Sequence, residues 1–308
     1  MNERRRFLKA MLGAATQGGS DPLTRAEPPG GSDPLTRAEP PGGSDPLTAD
    51  GLSADMVERY SRQLVLPQWS EAAQRALGEA SVLVVGAGAL GSPVATYLAG
   101  AGVGRLGIVD DGDVELSNLH RQHLHFTPDV GVPKAHSAVA KLAFLNPEIV
   151  IEPYQAEFNG AMVEGQDLVV DCTDAFATRY AVNAACCAAG VPLVEAGVVG
   201  TSGLVMAIRP GETACYRCAF PAPPPEGAVP TCAQAGVLGP AAGVIGSLQA
   251  LEALKLLAGL PGALTDAFLQ VDLGTLDFLR VAVRRREDCP DCGPAQAARP
   301  AAGRHESS

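Results

Sequence analysis

SVLVVGAGALGSPVATYLAGAGVGRLGIVDDGDVELSNLHR, residues 81–121, decides the fold. It opens with five residues suited to a buried strand, Ser81 to Val85, and runs straight into Gly86-Ala87-Gly88-Ala89-Leu90-Gly91. Ser92 to Gly102 then reads as a helix. A strand, a glycine turn and a helix make a nucleotide cradle: the first glycine permits the tight turn, the second lets backbone approach phosphate, and the third lets helix and strand pack closely. The helix N-terminus adds unpaired N–H groups and a partial positive charge. A second apolar strand, Leu106 to Val109, ends at Asp110, nineteen residues beyond Gly91, where such folds place a carboxylate for ribose hydroxyls. The fold class expected is α/β, a Rossmann-like doubly wound, mostly parallel sheet with an antiparallel extension. Gly86, Gly88, Gly91 and Asp110 suit an NAD-dependent dehydrogenase as well as an ATP site, so they establish a nucleotide and not a reaction.

The composition narrows the class. The chain has 308 residues and a formal charge of -11, so it lacks the excess of Lys and Arg that a nucleic-acid surface needs. The most apolar stretch, residues 233–260, is interrupted by Gln249, Glu252 and Lys255, so no membrane span is expected. Arg4-Arg5-Arg6-Phe7-Leu8-Lys9 resembles a twin-arginine export signal, but the apolar run behind it, residues 10–15, is too short for one. Residues 18–29 and 30–41 repeat GGSDPLTRAEPP, with a third, truncated copy at 42–48. Such sequence buries too little apolar area to offset its ordering entropy. We therefore expect a disordered tail over 1–50, one folded domain over 51–293 and a disordered tail over 294–308. Eight cysteines, four of them in two C-x-x-C pairs, indicate metal binding in a reducing compartment, the cytoplasm.

Within the domain, Ser53 caps a helix expected to run through Gln63, with Arg59 and Arg62 on one face; alone, these read as a solvated basic face. Gly131-Val132-Pro133-Lys134 enters a helix, and a lysine in a first turn opposes the helix dipole by roughly 0.3–1 kcal/mol, a hint of an anion to be met. Asp167 to Val170 reads as a strand ending in Asp171-Cys172-Thr173-Asp174. Two carboxylates there suit Mg²⁺, which takes one or two carboxylates plus substrate phosphates; the rival reading makes Asp174 the cap of the helix over 175–189. Pro192 to Val198 and Gly203 to Ile208 are expected to form an edge hairpin. Cys215-x-x-Cys218 and Cys289-x-x-Cys292 supply the four thiolates of a closed tetrahedral zinc site. Residues 221–230 read as a mobile proline-rich loop, followed by the lone thiol Cys232 before a helix, where thiolate is favoured. That helix, Pro240 to Ala258, is expected to turn Val244, Leu248 and Leu251 to the core.

Taken together, Arg59-Tyr60-Ser61-Arg62-Gln63, the glycine turn, Ser117-Asn118-Leu119-His120-Arg121-Gln122, Gly131-Val132-Pro133-Lys134, Asp171-Cys172-Thr173-Asp174, Ala235-Gly236-Val237 and the two C-x-x-C pairs resemble the ThiF/MoeB/HesA family of ubiquitin-activating-enzyme-like adenylyltransferases. The resemblance implies ATP-dependent adenylylation of the C-terminal glycine of a small ubiquitin-like sulfur carrier ending in Gly-Gly. It further implies that Asp110 holds the ribose, that Asn118, Arg121, Gln122 and Lys134 lie at the nucleotide, and that Asp174 binds Mg²⁺. Arg62 would reach the phosphates of a neighbouring subunit, which implies a homodimer. Ala89 stands where many relatives carry glycine, so a methyl group would face the phosphates. Cys232 holds the position that forms a covalent sulfur linkage in some members and is dispensable in others. Sulfur would come from a separate donor protein. A non-catalytic module that binds ubiquitin-like proteins is the remaining alternative.

Overall fold

The first described element forms where the sequence offers a cap: Ser53 Oγ accepts from the Met56 amide at 3.1 Å. The computed structural model describes residues 52–223 and 235–293, so the N-terminal repeat, Cys232 and the C-terminal tail lie outside the described residues. Helix α1 (Ala54–Arg59) stops at Tyr60, and α2 (Ser61–Leu64) follows, so the single helix expected through Gln63 is broken. The break has a cause: the Tyr60 ring is buried, and its hydroxyl accepts from Asn146 Nδ2 at 2.9 Å. Helix α3 (Glu71–Glu79), capped by Ser70, leads into β1 (Ser81–Val85).

Then follow α4 (Gly91–Ala101), β2 (Arg105–Val109), α5 (Lys134–Leu145), β3 (Val150–Tyr154), β4 (Leu168–Asp171), α6 (Phe176–Ala189), β5 (Leu193–Val199) and β6 (Ser202–Ile208). The short α7 (Tyr216–Ala219), the long α8 (Gly239–Leu257), β7 (Ala267–Asp272) and β8 (Asp277–Ala282) complete the described elements. The eight strands form one sheet in the order β3-β2-β1-β4-β5-β6-β7-β8. The first five run parallel, and β6, β7 and β8 add antiparallel. The β5–β6 hairpin is therefore internal rather than an edge, because β7 and β8 cover β6.

Strand alternation sends Val82 and Val84 to one face and Leu83 and Val85 to the other, so each face has its own core. Helices α3, α4, α5 and α8 cover the first face, while α6 and the cysteine pairs cover the second. One expectation fails here. In α8 the buried positions are Ala241, Ala242, Ile245, Gly246, Gln249, Ala250, Glu252 and Ala253, whereas Val244 and Leu251 are exposed and Leu248 only partly buried. The helix lies so close to the sheet and to α4 that small residues are required: a Cβ on Gly246 would drive into the Pro93 ring. Gln249 satisfies its buried amide by donating to the carbonyls of Asp171 at 2.6 Å and Val194 at 3.2 Å, which ties α8 to β4 and β5. Among the described residues, no helix is long and apolar enough to cross a membrane.

Candidate active site

A cavity of about 630 Å³ opens at the C-terminal ends of β1 and β4, where the strand order reverses. In open α/β sheets this crevice is where ligands bind, and the volume lies in the range of small-molecule sites. Gly86, Gly88, Ala89, Asp110, Arg121, Gln122, Lys134 and Asp174 all contribute to its lining. Gly86 makes the turn with φ +98°, a left-handed value that costs other residues steric energy. A Cβ on Gly91 would strike the Gly86 carbonyl oxygen, so the third glycine sets how closely α4 approaches the turn. Gly91→Ala is expected to destabilise the fold by about 1–3 kcal/mol, as overpacking does, read by urea unfolding.

The turn is braced from behind. Asp110 accepts from the Ala87 amide at 2.8 Å and from the Gly112 amide at 2.9 Å, and Lys134 Nζ lies 3.7 Å from the same carboxylate. His125 is buried with Nε2 at 2.9 Å from the Ala87 carbonyl and Nδ1 at 2.8 Å from Ser137 Oγ. Burial holds its imidazole below the usual pKa, so the ring is neutral, donates from Nε2 and accepts at Nδ1. His125 thus positions the cradle, a part that a lone histidine in the sequence did not signal.

Arg121 Nη1 donates to the Ser117 carbonyl at 2.9 Å and to His120 Nε2 at 2.7 Å, which steadies a cation at the cavity wall. Gln122 is buried, and its Oε1 has no partner among the described residues, an orphaned acceptor beside the cradle. Asp174 is exposed at the cavity, without a hydrogen bond or ion pair among the described residues. The N-cap of α6 is Ala175, with no capping side chain, so the cap reading of Asp174 is set aside.

Besides Gly91, which packs behind the turn and is not in the lining, three expected positions lie elsewhere. Asp171 does not pair with Asp174 at the cavity: it is fully buried and turned beneath α6, where its Oδ1 accepts from the Thr173 amide and hydroxyl. Asn118 is buried in a 3₁₀ turn (Leu116–Asn118), its Oδ1 accepting from the Glu115 amide at 3.2 Å, and is not among the lining residues. Arg62 is exposed and also outside this lining. The sequence reading passed over two buried residues: Arg179, which contributes to the cavity lining, and Glu195, which lies beneath the floor. A carboxylate inside the apolar run 192–198 was the available signal.

On the far side of α6, Cys215, Cys218, Cys289 and Cys292 are all buried, with their sulfurs within 4.8 Å of one another. The Cys215–Cys218, Cys215–Cys289 and Cys218–Cys292 separations are 3.8, 3.6 and 3.4 Å. Four sulfurs about 2.3 Å from a common tetrahedral centre require similar spacings, so this donor set fits Zn²⁺. Asp291 accepts from Arg217 Nε at 2.8 Å and from Asn183 Nδ2 at 2.7 Å, joining the C-terminal pair to both the first pair and α6.

A model of the ThiF family matches residues 60–291. The chain belongs to the ThiF family. This ThiF-family chain is 48% identical over 247 residues to the Sus scrofa protein named adenylyltransferase and sulfurtransferase MOCS3, a match covering 79% of this chain and 54% of that one. It is 47% identical over 246 residues to the Thermus thermophilus sulfur carrier protein adenylyltransferase, covering 77% and 91%. The chain thus spans about half the length of the first relative and about nine tenths of the second. A crystal structure of E. coli MccB with MccA-N7isoASN shares the fold, at a TM-score of 0.70 and 24% identity over 76% of this chain and 74% of that one.

Proposed function

We propose that this ThiF-family chain adenylylates the C-terminal glycine of a ubiquitin-like sulfur-carrier protein, consuming ATP and releasing pyrophosphate. The observation that carries the reading is the gathering of Arg121, Lys134 and Asp174 around one glycine-walled cavity. In the reaction a carboxylate oxygen bonds to the α-phosphorus while the bond to the bridging oxygen of the β-phosphate breaks, and that oxygen leaves with pyrophosphate. The attacking carboxylate is already ionised, so no general base is needed. The protein's task is to align two anions and to offset charge on the phosphoryl oxygens. Arg121 and Lys134 supply fixed positive charge, Asp110 faces the ribose, and Gln122 offers its orphaned amide oxygen to the nucleotide. Bound Mg²⁺ would neutralise the phosphates, with Asp174 as its protein ligand.

The four cysteines are assigned to structural Zn²⁺, which suits a reducing compartment such as the cytoplasm. Arg62 is assigned to the phosphates of a neighbouring subunit in a homodimer. Its exposure away from its own cavity supports this, as does the outward apolar face formed by Tyr97, Val244 and Leu251. Sulfur for the activated carrier is assigned to a separate donor protein. The test is ATP–pyrophosphate exchange in the presence of a carrier ending in Gly-Gly, with calorimetry of ATP-Mg²⁺ against NADH. Carrier-dependent exchange and preference for ATP-Mg²⁺ are expected. NADH binding without exchange would return the chain to the dehydrogenase reading.

A further inference from the structure

At and below the cavity floor lie three buried ionisable side chains: Asp171 at the end of β4 and Glu195 within β5, both beneath the floor, and Arg179 in the first turn of α6, which also contributes to the cavity lining. Asp171 and Glu195 are register partners on adjacent parallel strands, and both point to the face covered by α6. Two carboxylates side by side repel unless something intervenes. Arg179 lies against them, with Nη1 at 3.3 Å from Glu195 Oε1, an ion pair by distance but off-line for a hydrogen bond. One guanidinium cannot balance two carboxylates, and burial pushes both acids upward, Glu195 well above the ordinary carboxylate range. A single proton shared by the acids leaves the trio neutral. It also gives a partner to oxygens that otherwise lack one, Asp171 Oδ2 and one of Glu195.

The trio is built around one residue. Asp171 Oδ1 accepts from the Thr173 amide at 2.9 Å and from its hydroxyl at 2.7 Å, and Arg179 Nη2 donates to the Thr173 carbonyl at 2.8 Å. Thr173 is therefore pinned at both ends of its backbone, and the next residue is Asp174. Gly197 of β5 makes the room, because a Cβ there would collide with the Arg179 guanidinium. We propose that Arg179, held by the Asp171–Glu195 acid pair, is a positioning residue for Asp174: by fixing the Thr173 carbonyl it aims the Asp174 carboxylate into the cavity. This rests on the reading of Asp174 as the Mg²⁺ ligand. A lysine cannot replace Arg179, since its single ammonium cannot reach the acid pair and the carbonyl with two separate nitrogens in a fixed plane.

The test measures ATP affinity by calorimetry with and without Mg²⁺, alongside the Mg²⁺ concentration giving half-maximal exchange, in the full chain. Arg179→Lys is expected to shrink the Mg²⁺-dependent gain in affinity about tenfold or more, as misplacement of a ligand group does, and to raise the Mg²⁺ requirement in step. ATP affinity without Mg²⁺ stays unchanged. Glu195→Gln, which keeps a neutral hydrogen-bonding group where the acid is protonated, retains the gain. Gly197→Ala, whose methyl pushes on the guanidinium while Arg179 itself is kept, reproduces the loss and serves if Arg179→Lys does not fold. An undiminished gain in Arg179→Lys and Gly197→Ala overturns the proposal, as does equal weakening with and without Mg²⁺, the mark of a merely structural residue. Loss of the gain in Glu195→Gln overturns the shared-proton arrangement. Should Asp174→Ala itself keep the gain, the assignment of Asp174 fails first and takes the proposal with it. Loss in Asp174→Ala with retention in Arg179→Lys sinks the proposal alone.

Discussion

Asp174→Ala is expected to lower carrier-dependent ATP–pyrophosphate exchange by about 10²–10³-fold, ~2.7–4 kcal/mol, the loss typical of removing one preorganised electrostatic partner of a transition state. The fold has little stake in this side chain, which is exposed and makes no hydrogen bond or ion pair among the described residues. Its removal should therefore shift unfolding by no more than about 0.5 kcal/mol, as for other exposed positions. Arg121→Ala is expected to act in the same direction, with some further loosening because its guanidinium also holds the Ser117 carbonyl. Folded Asp174→Ala protein with near-normal exchange would refute the assignment. If Arg62 serves the opposite subunit, mixing Arg62→Ala with Asp174→Ala chains should restore part of the activity that each lacks, since one site of a mixed dimer is then intact.

Removing the zinc proposed for the cysteine cluster should have the largest effect on stability. A ligand present at about a thousand times its Kd contributes ≈ 4.1 kcal/mol to the folded state. At roughly 2–4 °C per kcal/mol for a domain of this size, Cys289→Ser or exhaustive chelation should lower Tm by about 8–16 °C. The loss should reach the cavity through α6. Asn183 on that helix donates to Asp291 and accepts from the Tyr216 amide, while Tyr180 donates to the Phe220 carbonyl. The same helix carries Arg179 in its first turn. Differential scanning calorimetry with metal analysis decides the matter: protein that binds no stoichiometric zinc, or that keeps its Tm after losing it, rules out a structural metal here.

Much of the architecture was legible because its signals are local. The continuous apolar run in 81–85, the glycine turn and the carboxylate after β2 each report on a few neighbouring residues, and parallel strands buried on both faces leave little ambiguity. The misreadings arose where tertiary spacing overrides side-chain preference. In α8, Val244 and Leu251 outrank glycine and alanine on any hydrophobicity scale, yet close packing selects for small size and turns the larger residues outward. Asp171 and Asp174 look equivalent in sequence, but strand alternation assigns Asp171 the parity of Val169 and sends it beneath α6, while Asp174 lies past the strand's end. The Arg179–Glu195 pair joins β5 to α6 and has no sequence periodicity to announce it. The cysteine cluster was easy by contrast, since chemistry restricts which residue types can converge at that spacing.

The inward side of α8 carries a further consequence. Where Gly246 meets the Pro93 ring and the Leu90 carbonyl, α8 offers only its backbone to the contact. Such a joint behaves as a ruler: glycine has nothing to lose, and any gain must shove the start of α4, and with it the phosphate-facing turn. Drift in sequence can therefore reshape the outer surface of this helix without altering the aperture of the crevice, whose width is locked by the side chain that is not there.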